Sequence, residues 1–276
     1  MKRRLSLFAL LPLATLLACG PHTATVAAEA QTGNFSVNLH DKSVGTASFH
    51  LVPTSRGYDS SSLVRVDMKG LNYAFSKNEQ LSAASQLQHA QLSATINGQA
   101  VAVTASPDPA QMLLNISANG RSSTTRLAAH PAAVFMPDVD PGALQTLLTL
   151  AARQNNRDLW AIVPKEAGFV APVTLATLAD EKGTLDGKPI TVHHMVATIQ
   201  GNDTELFCGP NNQLLQAELA QEGLVLVRTG FVLAPPSKPG VPPTPPPANQ
   251  QQPAQQQPGQ QQPAQQPPAQ QQQSQW

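Results

Sequence analysis

The chain has 276 residues, equal numbers of acidic and basic side chains, and a low charged fraction of 12%. The basic residues are scattered and form no stripe that could follow a phosphate backbone, which argues against nucleic acid as a partner. No nucleophile-elbow, zinc-protease or phosphate-binding glycine motif is present, so the sequence predicts no catalytic residue, no metal ligand and no cofactor.

The amino terminus has the features of an export signal. Basic residues 2–4 precede an apolar run over residues 5–18. This run is shorter than the ~20 residues that a membrane-spanning helix needs, so residues 1–18 are expected to be a cleaved signal peptide. The run ends in Leu16, Leu17, Ala18 and Cys19, which resembles the lipobox of bacterial lipoproteins. An ordinary secretory signal, cleaved within residues 26–30, is the alternative.

The lipobox resemblance implies that Cys19 is the lipidation site and carries a diacylglycerol and a further acyl chain such as palmitate. Several acyl chains would keep the protein on a membrane permanently. In that family an Asp after the modified Cys retains the protein in the inner membrane, whereas Gly20 follows here. We therefore expect the protein to lie in the cell envelope, on the outer membrane and facing the periplasm. Residues 19–32 would form a lipid-anchored linker.

Residues 33–233 are expected to form one antiparallel β domain. Phe35, Val37 and Leu39 alternate with polar residues and predict a first strand, which should turn back across residues 41–45. Asn-Gly dipeptides at 97–98 and 119–120 predict tight hairpins, because type I′ turns need positive φ at both central residues. Together with expected strands over residues 61–68 and 71–75, these patterns predict an antiparallel meander.

One helix should interrupt the strands at residues 141–153. Asp140 is a suitable N-cap, Pro141 occupies the favoured first position, and leucines follow at helical spacing. Asp138 and Asp140 form a short Asp-x-Asp that could contact a cation, although the capping role already explains Asp140. Further strands are expected over residues 159–163, 172–178, 190–199, 205–208, 214–219 and 224–232.

The order of these elements resembles the half-barrel domains of the LolA and LolB lipoprotein carriers. The resemblance lies in the meander, the single helix after it and the closing strands over residues 190–219. It implies a mainly β fold, with a curved antiparallel sheet or half-barrel wrapped around one mid-chain helix and enclosing an apolar cavity. A plain β-sandwich is the alternative fold.

Two residues of the later strands, His194 and Cys208, are candidates for chemistry. His193 and His194 are adjacent, so on a strand they point to opposite faces and cannot share one metal ion. His194 shares its face with Val192, where a buried and hydrogen-bonded histidine is the expected outcome. Cys208 has no partner if Cys19 is lipidated, and its apolar neighbours predict a buried thiol. An enzyme would be indicated by a polar cluster around His194 or Cys208.

From residue 234 to 276 the chain consists almost entirely of Pro, Gln and Ala, with repeats of Gln-Gln-Gln-Pro. Such a segment has too little apolar surface to offset the entropy of ordering, so we expect a disordered, extended tail.

The sequence therefore predicts a non-enzymatic, membrane-anchored periplasmic lipoprotein that binds an apolar ligand, such as a lipid or lipoprotein, or another envelope protein. One alternative is an envelope scaffold that binds partners through the Pro/Gln-rich tail. A second alternative is a hydrolase assembled from distant residues.

Overall fold

The computed structural model describes residues 30–235. The predicted signal peptide, Cys19, most of the predicted linker and the residues from 236 onward lie outside the described residues. The predictions made for them therefore stay predictions.

Residues 30–235 contain seventeen strands, one α-helix and one 3-10 turn. The strands of the first half are β1 (Gln31–Leu39), β2 (Lys42–Thr54), β3 (Gly57–Met68), β4 (Leu71–Ser82), β5 (Leu87–Ile96), β6 (Gln99–Asp108), β7 (Gln111–Ala118), β8 (Arg121–Ala128) and β9 (Ala133–Phe135). Helix α1 (Pro141–Gln154) follows. The remaining elements are β10 (Leu159–Val163), β11 (Phe169–Thr177), β12 (Glu181–Leu185), β13 (Lys188–Ile199), β14 (Asn202–Cys208), the 3-10 turn Pro210–Asn212, β15 (Leu214–Leu219), β16 (Leu224–Arg228) and β17 (Phe231–Leu233).

Strands β1 to β8 form the predicted antiparallel meander, each pairing with the next. Asn97 and Gly98 have φ of 50° and 82°, and Asn119 and Gly120 have φ of 54° and 71°, as type I′ hairpins require. The first turn is tighter than predicted. It contains only His40 and Asp41, both with positive φ, and Leu39 already faces Lys42.

The second half of the chain extends the same sheet from the free edge of β1. Across that edge the order is β16, β15, β14, β13, β11, β10 and β9, and only the β9–β10 pair is parallel. Strand β13 pairs with β12 along its first half and with β11 along its second half, and β12 also pairs with β17. Within residues 30–235 no strand pairing joins β8 to β9, so the sheet is open.

Helix α1 lies on the inner side of this curved sheet, and nearly all of its residues up to Ala151 are buried. Asp140 caps it as predicted, because its Oδ1 accepts a hydrogen bond from the backbone N–H of Gly142 at 2.9 Å. The helix ends at Asn155, whose φ of 50° is left-handed. The mainly β fold with a curved open sheet and one helix is thus confirmed. This helix is too short and too weakly apolar to cross a bilayer, and the described residues hold no other candidate span.

Three strand predictions need correction. The expected strand over residues 224–232 is two strands, because Thr229 and Gly230 turn the chain between β16 and β17. Strands β9 and β12 were not predicted. Three residues are too few for a periodic pattern in β9, and β12 contains polar side chains and a glycine.

Two hydrophobic clusters lie on opposite faces of the sheet. The main core joins the inner face to α1 and includes Leu206 and Cys208 of β14. The smaller cluster lies on the outer face beneath β12 and β17. It consists of Val192, Phe207, Leu215 and Phe231.

Candidate ligand-binding cavity

A cavity of about 440 Å³ opens beside the first turns of α1. This volume falls within the roughly 300–1,000 Å³ typical of small-molecule pockets. Its apolar walls come from the loop before the helix, the helix and four strands: Met136, Val139, Leu144, Leu147, Val163, Phe169, Ala197, Ile199 and Leu219. The site is therefore an apolar space between the helix and the sheet.

Polar side chains from the loop before α1 and from the ends of three hairpins surround the cavity. They are Asp138, Lys165, Glu166, Gln200, Asn202, Asp203, Gln221 and Glu222. Lys165 Nζ lies 2.9 Å from Asp138 Oδ1, and both side chains are about half exposed. Burial lowers the pKa of Lys165, but the hydrogen bond and the negative charge of Asp138 outweigh it and leave the pKa raised. The rim thus combines one ammonium group with an excess of carboxylates.

Asp138 and Asp140 diverge although only Val139 separates them. Val139 has a φ of 59°, a conformation that a β-branched residue rarely adopts. Asp138 pairs with Lys165 at the rim, whereas Asp140 pairs with the buried Lys77 of β4. The Asp-x-Asp motif therefore does not form a common cation site.

A buried cluster of charged side chains adjoins the cavity, and one of its members, Asp140, is among the residues that line it. Lys77 Nζ is 2.5 Å from Asp140 Oδ2 and 2.9 Å from Glu79 Oε2, and all three side chains are at most 1% exposed. In the sheet register Lys77 faces Ser62 and Glu79 faces Ser60 on β3, so two buried serines flank the pair. Buried charges are costly unless they are paired, and this cluster ties the helix cap to the sheet.

Two further polar side chains position α1. Gln145 is buried, and its amide donates to the carbonyl of Asn212 at 3.0 Å and accepts from the N–H of Leu214 at 2.8 Å. Near the other end of the helix, Arg153 donates to the carbonyl of Ala83 and to the hydroxyl of Tyr58. The helix is therefore held against both halves of the sheet.

A wider depression of about 590 Å³ lies on the outer face of strands β3 to β7. Small side chains dominate its lining, as in Ala74, Ser76, Ser93 and Ala102, and it is broadly open to solvent. Because it is so open, it could enclose little of a ligand, and the more enclosed cavity beside α1 is the better candidate.

The structure places the two histidines on opposite faces of β13, as predicted. His194 lies on the face of Val192, between Glu181 Oε1 and Glu205 Oε2 at 3.1 Å each, with its ring stacked 4.4 Å from that of Phe207. His193 is half exposed and contacts Asp180. In residues 30–235 no group of three or more His, Cys, Asp or Glu side chains is arranged to hold a metal ion.

Cys208 is completely buried in the main core, as its apolar neighbours predicted. Burial raises the pKa of its thiol to about 12. Because the thiolate is the reactive form, this cysteine is poorly suited to nucleophilic chemistry. Neither Cys208 nor His194 lines the cavity beside α1.

The sequence interpretation missed Lys77 and Glu79 because it ended the strand at residue 75. The alternation actually continues through Phe75, Lys77, Glu79 and Leu81, all of which are buried. Phe75 and Leu81 lie at the two ends of this alternation. Their apolar side chains could have predicted that the charged pair lies on the inner face.

Comparison with protein-family models, with curated proteins and with solved structures finds no match for this chain.

Proposed function

We propose that this chain is an envelope lipoprotein that binds an amphiphilic ligand in the cavity beside α1. Cys19 would carry the lipid anchor. The apolar part of the ligand would lie against Leu144, Leu147 and Phe169, and its head group would remain at the rim. The supporting observation is the cavity itself, which combines apolar walls with a ring of polar side chains. Burial of apolar surface supplies the affinity, and the polar rim supplies orientation.

The charges of the rim favour one class of head group. Asp138 already pairs with Lys165, which leaves the carboxylates of Glu166, Asp203 and Glu222 without a second basic side chain among the residues around the cavity. Like charges repel and opposite charges attract at such short range. The preferred ligand is therefore a lipid-like molecule with a neutral or cationic head group.

The neutral apolar dye N-phenylnaphthylamine tests the binding directly. A chain that begins at Gly20 lacks the predicted signal and lipid but keeps every described residue. It should bind the dye with increased fluorescence, and amphiphiles with a neutral or cationic head should displace the dye better than fatty acids of the same length.

A matched pair of variants locates the binding site. Ile199→Trp adds bulk at a cavity wall, whereas Ile116→Trp adds the same bulk at a partly buried position of β7 away from the cavity. We expect dye affinity to fall at least about tenfold in the first variant and to change little in the second. Equal loss in both variants, or none in either with both folded, would contradict the proposed site.

The anchor is tested separately. Cys19→Ser in the full chain should move the protein from the membrane fraction to the soluble fraction. If it remains on the membrane, the lipid is not the anchor.

A further inference from the structure

The buried cluster of Lys77, Glu79 and Asp140 is unusual in its charge balance. With all three groups ionised it carries one ammonium and two carboxylates. The structure gives the cluster no other basic partner within residues 30–235. A net negative charge would then remain in a region where the side chains are at most 1% exposed. Low-dielectric surroundings strongly disfavour such a state, so Glu79 is expected to hold a proton, and a reaction between Lys77 and Asp140 would then remove the two charges that remain.

We propose that Lys77 and Asp140 form an intramolecular amide bond, with Glu79 as the proton carrier. The geometry has the parts that this condensation needs: an amine against a carboxyl group, a second carboxyl group in contact with the amine, and a hydrogen-bond donor on the carboxyl oxygen that stays. This proposal is independent of the ligand proposed for the cavity.

The amine is placed for attack on Asp140. Nζ lies 2.5 Å from Oδ2, so the carboxyl carbon is only one bond further away. Fixing two reactants in contact replaces a bimolecular encounter and lowers the barrier to their reaction. No external substrate could reach this completely buried lysine, which points to a reaction within the chain itself.

The helix terminus stabilises the charge that develops during attack. Asp140 Oδ1 accepts the N–H of Gly142 at 2.9 Å, and the positive end of the dipole of α1 lies at the same place. When the Lys77 nitrogen adds to the carboxyl carbon, negative charge collects on Oδ1. A fixed backbone donor there acts as an oxyanion hole does. The hydrogen bond remains after the reaction, because Oδ1 becomes the amide oxygen.

The protons and atoms balance without any added reagent. Glu79 begins as a carboxylic acid, and the Lys77 ammonium passes one proton to Asp140 Oδ2, which frees the amine. The N–C bond then forms, Glu79 delivers its proton to Oδ2, and Glu79 takes a proton from the nitrogen in return. The C–Oδ2 bond breaks and Oδ2 leaves as water. Of the three ammonium protons, one stays on the amide nitrogen, one leaves with the water and one replaces the proton that Glu79 gave to the water.

The ionisation of the cluster is consistent with this route. Burial raises the pKa of Glu79, although Lys77 opposes the effect, and this favours a carboxylic acid that can donate a proton. For Lys77, burial lowers the pKa, but Asp140 and Glu79 outweigh it. Lys77 therefore loses its proton by direct transfer to Asp140, which it contacts, and not to solvent. After condensation, with Glu79 protonated, no charge remains buried.

Mass spectrometry of the unsubstituted chain tests the proposal without relying on any variant. Under denaturing conditions the folded and purified chain beginning at Gly20 should be lighter than its sequence requires by the mass of one water molecule. Trypsin should fail to cleave after Lys77, and the digest should contain a branched peptide that joins the Lys77 segment to the Asp140 segment. Full mass with two linear peptides would overturn the proposal.

Two lysine variants and one glutamate variant assign the roles. Lys77→Arg keeps a cation but cannot form this amide, so full mass is expected. Lys165→Arg alters the other Lys–Asp pair, at the exposed rim, and should keep the loss of water. Glu79→Gln removes the proton carrier and should leave most chains at full mass. A water loss that maps instead to Asp186–Gly187, where an Asp-Gly pair can cyclise, would also overturn the proposal.

Discussion

A Cβ added at Gly142 would overlap Oγ of Ser62, so the second residue of α1 lies directly against the hydroxyl of a β3 serine. This close approach brings the amino terminus of the helix down onto the sheet. It also places the capping residue, Asp140, within reach of Lys77 on the neighbouring strand. The buried cluster and the position of the cavity both depend on this contact.

Gly142→Ala should therefore destabilise the domain, although alanine is normally the better helix former. We expect a loss of about 1–3 kcal/mol in the free energy of unfolding, because overpacking outweighs helix propensity. The Ser62 hydroxyl has no hydrogen-bond partner within residues 30–235, so Ser62→Ala alone should cost little. Combined with Gly142→Ala it should restore most of the loss. Urea denaturation of the unsubstituted chain, the two single variants and the double variant measures the coupling energy between the two substitutions. Additive losses in the free energy of unfolding would contradict the contact.

The two carboxyl groups beside Val139 provide a matched comparison of a buried and an exposed contact with lysine. Asp140→Ala removes the helix cap and a partner of buried Lys77, and should cost about 3–5 kcal/mol. Asp138→Ala breaks the half-exposed pair with Lys165 and should cost less than about 1 kcal/mol. Thermal and chemical denaturation measure both losses. Similar costs would mean that the cluster around Lys77 contributes no more than a surface pair.

His193 and His194 should likewise differ in how much stability is lost when each is replaced by alanine. His194 is 12% exposed, stacks on Phe207 and contacts carboxylates on two other strands, so His194→Ala should cost about 1–3 kcal/mol. His193 is 48% exposed and its replacement by alanine should cost less than about 1 kcal/mol. Equal effects in urea denaturation would show that His194 does not join β12 and β14 across β13.

Cys208 should make stability fall at alkaline pH. The thiol has a pKa of about 12 in the folded protein, raised by burial from 9.0. The folded state therefore holds this proton more tightly than the unfolded state does. The resulting stabilisation is complete below pH 9.0 and is lost as pH rises toward 12. Denaturation of the chain beginning at Gly20 should show this slope, and Cys208→Ala should flatten it. An unchanged slope in that variant would assign the loss to other groups.

The sequence predicts those parts of the fold that have a local physical cause. Asn97-Gly98 and Asn119-Gly120 predicted two hairpins, because few other dipeptides readily adopt positive φ at both residues. Asp140 and Pro141 located the start of the helix for a similar reason. By contrast, the pairing of β1 with β16 joins residues far apart in the chain, and no local pattern specifies it.

The candidate site was harder to predict than the fold. The walls of the cavity come from α1 and from strands that are distant in sequence, so no motif marks them. Lys77 and Glu79 were overlooked because charged residues usually mark the exposed face of a strand. Their position on the inner face depends on Asp140, more than sixty residues later in the chain. Only the assembled structure brings these groups together.

Native mass spectrometry of bound ligand tests the central claim most directly. The chain beginning at Gly20, preceded by a cleavable secretory signal of the host without a lipidation site, would be exported to the periplasm of a bacterial host and purified without detergent. It should then carry one amphiphilic molecule per chain, and that molecule should be missing from Ile199→Trp but present in Ile116→Trp. A folded chain that carries no ligand and does not take up N-phenylnaphthylamine would contradict the proposed function.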